Sequence, residues 1–351
     1  MSRATASDFE ALRLALPESG AGDELVLRDD GGTACALLRL KKGAPRNFVY
    51  ENGVARELRL SDDAQLPAAH LCADERTIAA ALEPSLGPVQ RATLVAWRPG
   101  KRAVLRVQQG ERALYVKLLD KKTYKRACAA FERMQAGEGP LRLALPHALL
   151  PELCAYAAWG APGTSLHDVL AEGGSAPWRL VDRCVRALAC ASCSEDLPRH
   201  DFASARNAAV KMLEKAAAVD PRCADIAARV ASLRAPSQTH EGFVHGDLHD
   251  KQLLLDGNSA WLIDLEGAGR GDANFDLVNL AEHLRLRALQ RQGKDDGLCD
   301  AMLDRFATAR EVRMAWGACI RARLYGVYAM RPRWAALANV LHSDISRALS
   351  H

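Results

Sequence analysis

The stretch GFVHGDLHDKQLLLDGNSAWLID, residues 242–264, decides how the chain is read. Gly242 to His245 forms a short apolar run that enters a polar loop. Two further apolar runs, Gln252–Leu255 and Ala260–Ile263, flank the tetrad Asp256 to Ser259. Gly257 and Asn258 both tolerate positive φ, so this tetrad predicts a tight hairpin. With those two residues at the tip, Leu255 faces Ala260 and Gln252 faces Ile263. Asp264 then follows directly on the pair at the open end, and the loop carrying Asp247 enters the same end. Two carboxylates and an amide oxygen are thereby brought within a few residues' reach. A set of oxygen donors suits Mg²⁺, which keeps several waters and takes further ligands from phosphate.

Phosphoryl transfer needs little beyond such a set. It requires a metal on the phosphates, a cation near them, and a carboxylate that orients the attacking hydroxyl and takes its proton. Lys117 is the best cation, ending the run Ala113–Lys117 between the apolar neighbours Val116 and Leu118. Glu132, the one acid in the helix expected from about Thr123 to Gln135, is the candidate partner for it.

Outward from this stretch, three strands are expected near 92–97, 103–107 and 113–117, joined by short polar turns as an antiparallel meander. Strands near 144–150 and 153–159 complete a small β-rich lobe. Gly160 to Gly163 breaks the pattern, and the chain beyond is mostly helical. Residues 1–82 are expected to hold a short helix at Asp8–Leu16, strands at 24–28 and 36–40 with a turn at 29–32, and a helix at 68–82. They show no chemistry of their own. The fold class is therefore α+β, with residues 1–82 as an N-terminal extension, 83–160 as the small lobe and 161–351 as the helical lobe.

Composition agrees with this reading. The 351 residues carry 47 basic and 43 acidic side chains, a net charge of +4, and no like-charge block, so nucleic acid is not an expected partner. No apolar run approaches the roughly 20 residues of a membrane span, and the N-terminus lacks a signal-peptide pattern. Ten cysteines scattered among apolar residues suit buried free thiols and a cytoplasmic setting. The lone C-x-x-C, Cys190 to Cys193, has no partner motif and is read as helix packing.

The pattern His245-Gly246-Asp247, then Gln252, then Leu262-Ile263-Asp264 resembles the signature of the aminoglycoside phosphotransferase and choline kinase family, small-molecule kinases with a two-lobed protein-kinase-like fold. Residues 97–107, 159–166 and 269–277 resemble the family's first hairpin, the segment after its hinge and the segment after its metal aspartate. The resemblance spans roughly 91–345. It implies Asp247 as catalytic base, Asp264 and Gln252 as Mg²⁺ ligands, and Lys117 on the nucleotide phosphates. It also implies that Arg98 and Gly100 lie in the loop over the nucleotide and that the adenine rests near Ala158. His245 then supports the loop, and Asp276 braces the loop after Asp264. The implied substrates are ATP or GTP and a small-molecule hydroxyl acceptor of aminoglycoside, sugar or amino-alcohol type. The acids Asp295, Asp296, Asp300 and Asp304 are a candidate attraction for a cationic acceptor, with a solvated face as the plainer reading.

The chain departs from that pattern in three places. Gln252 stands where asparagine is usual, the nucleotide loop has a single glycine, and Leu265-Glu266 follows Asp264. No Walker motif occurs. Two other readings stay open: a nucleotide- or partner-binding protein without catalysis, and a metal-dependent phosphohydrolase using the alternating His245, Asp247 and His249.

Overall fold

The computed structural model describes residues 4–17, 20, 23–30, 32–41, 43–134, 139–173, 176–191 and 195–350. The chain divides into two compact units. The first holds residues 1–128, 145–160 and 330–333, and the second holds 129–144, 161–329 and 334–351.

In chain order the elements up to the first hinge are α1 (Ala6–Ala15), β1 (Glu24–Asp30), β2 (Thr33–Arg39), β3 (Arg46–Glu51), β4 (Val54–Leu58), α2 (Glu75–Leu86), β5 (Arg91–Arg98), β6 (Arg102–Gln109), β7 (Arg112–Leu119), α3 (Lys121–Phe131), β8 (Leu141–Leu143), β9 (Ala148–Leu150) and β10 (Ala155–Trp159). Then come β11 (Thr164–Ser165), α4 (Leu166–Ala171), α5 (Trp178–Ala189), β12 (Arg199–His200), α6 (Phe202–Ala216), α7 (Arg222–Ala231), β13 (Glu241–Val244), β14 (Leu253–Asp256), β15 (Ser259–Leu262), β16 (Gly269–Asp272), α8 (Asn274–Gln292), α9 (Leu298–Arg305), α10 (Arg310–Ala329) and α11 (Ala335–Ala348). No described helix is long and apolar enough to cross a membrane.

The first unit is built on the expected meander. Its sheet runs β5-β6-β7-β10-β9. The pairs Ala103–Leu118, Leu105–Val116 and Val107–Leu114 put every second side chain on one buried face, as a period of two demands. Leu60, Leu66, Ile78 and Leu82 pack into that same core, so the segment before residue 83 completes the core rather than standing apart. Ahead of it lies a second antiparallel sheet, β1-β2-β3-β4. Its strands β3 and β4 are additions to the sequence reading. The signal was present: Asn52 and Gly53 both take positive φ at the tip between them, the turn that an Asn-Gly pair favours. The exposed, charged β4 hid it, because a strand without a buried face shows no alternation.

Asp63, beyond β4, fixes the tip of the β5–β6 hairpin. Its Oδ2 accepts the Trp97 indole N–H at 3.0 Å and the Gly100 backbone N–H at 2.7 Å. Gly100 sits at φ +67, and a Cβ there would come within 2.9 Å of the Gln65 side chain.

The second unit holds the sheets β11-β14-β15-β8 and β12-β16-β13. The β14–β15 register matches the expectation, with Leu255 opposite Ala260 and Leu253 opposite Leu262. Two expectations near the hinge are corrected. The strand expected at 144–150 is shorter, β9 at Ala148–Leu150 in the first unit, and ahead of it lies a strand the sequence reading did not expect, β8, which pairs in parallel with β15, Leu141 opposite Ala260. The helix expected to reach Gln135 ends at Phe131, so Glu132 lies in the following turn, exposed.

Helix α8 is buried along Phe275–Leu289, including charged positions. Arg287 donates from Nε to the fully buried Asp250 at 2.9 Å, and His167 Nδ1 lies 2.6 Å from the same carboxylate oxygen. These partners hold the Asp250 carboxyl well below the usual range against the opposing effect of burial.

Two stability outcomes follow. Asp63→Ala removes one acceptor from two partly buried N–H groups and should cost about 1–3 kcal/mol; an unchanged urea midpoint would refute the clamp. Asp250→Asn leaves the Arg287 guanidinium buried without its counter-charge and should cost about 3–5 kcal/mol. Its control is Asp250→Asn combined with Arg287→Met, which should recover part of that loss.

Candidate active site

Asp247 is exposed at the head of a loop whose backbone is pinned from behind. Asp276, near the start of α8 and 2% exposed, accepts the N–H of His245 at 2.5 Å and of Gly246 at 3.1 Å. Burial pushes the Asp276 carboxyl up, and His245 with the two N–H groups opposes it. The sequence reading set Asp276 against the loop after Asp264; it holds instead the loop that leads into Asp247. Gly246 takes φ +84, and a Cβ there would meet the His200 ring at 2.7 Å, which is why a glycine is required at this bend.

His245 ties the loop to the hairpin. Its Nε2 lies 2.8 Å from the Ile263 carbonyl, and its Nδ1 accepts the Asp247 N–H at 3.2 Å. Nε2 therefore carries the proton and Nδ1 the engaged lone pair. Ile263 N–H in turn donates to the Gln252 carbonyl at 3.1 Å. Three hydrogen bonds thus run from Asp247 through His245 and Ile263 to Gln252, with Asp264 the next residue. Since both nitrogens of His245 are committed, the ring has no lone pair for a metal, and the hydrolase reading loses a ligand.

Asp264 takes a left-handed backbone conformation, φ 63 and ψ 47. A residue with a Cβ adopts this at a cost of about 1–2 kcal/mol, which Asp bears better than most. The bend ends β15 and starts a short 3-10 turn, Leu265–Gly267, in which Glu266 is buried rather than exposed. Gln252 is also buried, its Nε2 3.3 Å from His249 Nε2. His249 Nδ1 accepts the Lys251 N–H at 3.1 Å. A neutral imidazole has one donor and one acceptor, so the Gln252 amide orientation and the His249 tautomer are coupled. Burial lowers the His249 pKa and favours that neutral ring.

Sequence reasoning missed the partners of Asp247. Arg323 of α10 donates from Nη2 to Asp247 Oδ1 at 3.2 Å and to Asn279 Oδ1 at 3.0 Å. Asn279 donates in turn to the Leu248 carbonyl at 2.8 Å. No local spacing announces residues 32 and 76 positions further along.

His249, Asp250 and His283 also lie within 4.8 Å of one another. Their arrangement suits packing better than a metal. The Asp250 oxygens face Arg287 and His167, and the two imidazoles stack at 24°. Of the acidic residues considered for a cationic acceptor, Asp295 pairs with Arg285 at 2.7 Å and Asp304 with Arg313 at 2.6 Å, while Asp296 accepts the Leu298 N–H.

In the first unit, Lys117 lies within β7, opposite Val104 and Tyr156, and is only 8% exposed. Its Nζ is 5.7 Å from the centre of the Tyr156 ring. A lysine is almost never this buried without a partner or a task. Gly100 and Arg98 sit at the β5–β6 turn, and Asp120 N–H to the Lys101 carbonyl at 3.3 Å brings that turn beside the end of β7. Ala158 pairs with Tyr115 on β10. Glu132 lies in the second unit and is exposed. Cys190 is exposed and Cys193 lies outside the described residues; every described cysteine is a free thiol.

A family model described as "Phosphotransferase enzyme family" matches residues 14–312. Among solved structures, a thermostable mutant of aminoglycoside phosphotransferase APH(4)-Ia in complex with AMP-PNP and hygromycin B is similar at a TM-score of 0.52 and 13% identity, covering 78% of this chain and 98% of that one. The choline kinase LicA from Streptococcus pneumoniae is similar at 0.52 and 10% identity, with the same coverage. At such identities these likenesses speak for the protein-kinase-like fold alone. No curated protein matches in sequence. The match over most of its length makes this chain a member of the phosphotransferase enzyme family, a small-molecule kinase that uses a nucleotide.

Proposed function

We propose that the protein moves the γ-phosphoryl group of ATP, or of GTP, to a hydroxyl of a small molecule, with Asp247 as the base. The observation that carries this reading is the run of hydrogen bonds from Asp247 through His245 and Ile263 to Gln252, which sets an exposed carboxylate at the open end of the hairpin beside Asp264. Asp247 orients the acceptor hydroxyl and takes its proton as oxygen attacks phosphorus. Its exposure suits a group that must meet a substrate. Arg323 holds one of its oxygens, which leaves the other for the hydroxyl.

Asp264 and Gln252 would hold Mg²⁺. A carboxylate and an amide are the hard oxygen donors it takes, and the strained backbone at Asp264 is of a kind that clusters at working sites. Bound there, the ion neutralises charge on the β- and γ-phosphates. The oxygen of Gln252 serves only if its NH₂ faces His249 Nε2, which requires the His249 proton on Nδ1 and gives up the Lys251 hydrogen bond. Lys117 supplies the cation for the phosphates, Gly100 and Arg98 the loop near them, and Ala158 a surface for the base. These assignments follow the family pattern and the burial of Lys117.

ADP release with Mg²⁺, ATP and a broad acceptor panel tests the reading. Asp247→Asn should lower kcat by about 10²- to 10⁴-fold with an unchanged melting temperature; turnover surviving in that variant would sink the assignment. Stabilisation by Mg²⁺ with ATP should be lost in Asp264→Asn. A nucleotide-binding protein without catalysis would show the stabilisation but no Asp247-dependent ADP release.

A further inference from the structure

A cavity of about 160 Å³ lies within the second unit, and the Gly246 bend and Arg323 both line it. Its floor is apolar. Phe275, Trp316, Ile320 and Ala205 contribute, and Phe275 meets Trp316 edge to face at 5.1 Å. The Trp316 indole N–H is already donated to Asp272 at 2.9 Å, so the floor offers no donor there. The Cys319 thiol, also in the wall, is pushed up to about 12 by burial and stays neutral.

The charged groups of the lining are few. Asp201 caps α6, accepting the Ser204 N–H at 2.7 Å, so the helix N-terminus offsets its charge. His200 Nε2 is held by the Gly267 carbonyl at 2.8 Å. Arg323 is the remaining charged side chain. Its Nη2 serves Asp247 and Asn279, whereas its Nε and Nη1 make no hydrogen bond to a described residue. A guanidinium binds carboxylate or phosphate well; with Nη2 taken by Asp247 and Asn279, Nε and Nη1 each keep a single-point N–H for such a group.

We propose that the acceptor is a compact hydroxy compound with an apolar body and an anionic group, carboxylate or phosphate, that Arg323 receives while the hydroxyl meets Asp247. The proposal rests on Asp247 being the base. A polycationic acceptor would meet the like charge of Arg323 where its hydroxyl must approach. The acids that might have drawn it, Asp295 and Asp304, are already paired with arginines.

The test is ADP release by the full chain with Mg²⁺ and ATP on four acceptor sets of similar size. These are hydroxy-carboxylates (glycerate, pantoate, shikimate), phosphate esters (glycerol 3-phosphate), neutral polyols (glycerol, erythritol) and amino alcohols (choline, ethanolamine). One of the two anionic sets should exceed its neutral counterpart in kcat/KM by about 10- to 100-fold, the range of one charge-assisted pair; which set does so separates carboxylate from phosphate. Arg323→Gln should lower kcat for all acceptors alike, since Arg323 also holds Asp247, but raise KM by a similar factor for the anionic acceptor alone, with partial rescue of that KM by Arg323→Lys. Preference for choline or glycerol overturns the proposal. So does an unchanged KM for the anionic acceptor in Arg323→Gln, which would mean that Arg323 only positions Asp247. Absence of Asp247-dependent ADP release with every set overturns the kinase reading itself, and the proposal with it.

Discussion

The candidate site depends on one buried carboxylate, that of Asp276. Asp276 is sustained by two backbone N–H groups, those of His245 and Gly246, which the bend turns inward. A backbone N–H turned away from water is costly unless it is bonded, and a buried carboxylate is costly unless it is solvated by donors. Each removes the other's penalty. With the bend fixed, His245 reaches Ile263, the hairpin end is tied to the loop, and Asp247 can stand exposed without being loosely placed.

Much of this was legible in the chain. Gly257 and Asn258 set the register of β14 and β15 residue for residue, because a two-residue turn leaves no freedom once its tip is known. The meander was legible for a similar reason: short turns and one buried face. What stayed hidden is long-range. Arg323 and Asn279 reach the loop of Asp247 from helices whose buried faces mix charged and apolar side chains, and α8, buried nearly all round, has no polar side from which to read a stripe. The end of α3 was misjudged for a local reason. Helical spacing continued past Phe131, but the hydrogen-bonded helix did not.

The β5–β6 turn shows how a departure from a family pattern can have a local cause. Its one glycine is not spare backbone for phosphate. Its N–H is taken by Asp63, and its missing side chain makes room for Gln65. The sheet and turns before residue 83 therefore fix the hairpin tip from outside, where other arrangements leave it to a run of glycines.

Strand β8 leads to a different conclusion, about synthesis. Leu141 pairs with Ala260, 119 residues later. At the usual pace of a ribosome, that interval lasts on the order of ten seconds. Through it, a short strand already made has no neighbour, and parallel pairing over such a separation is slow to find. The growing chain must keep that edge from other partners until the hairpin that carries Asp264 emerges. The helical unit is thus completed late, by the same segment that carries its candidate chemistry.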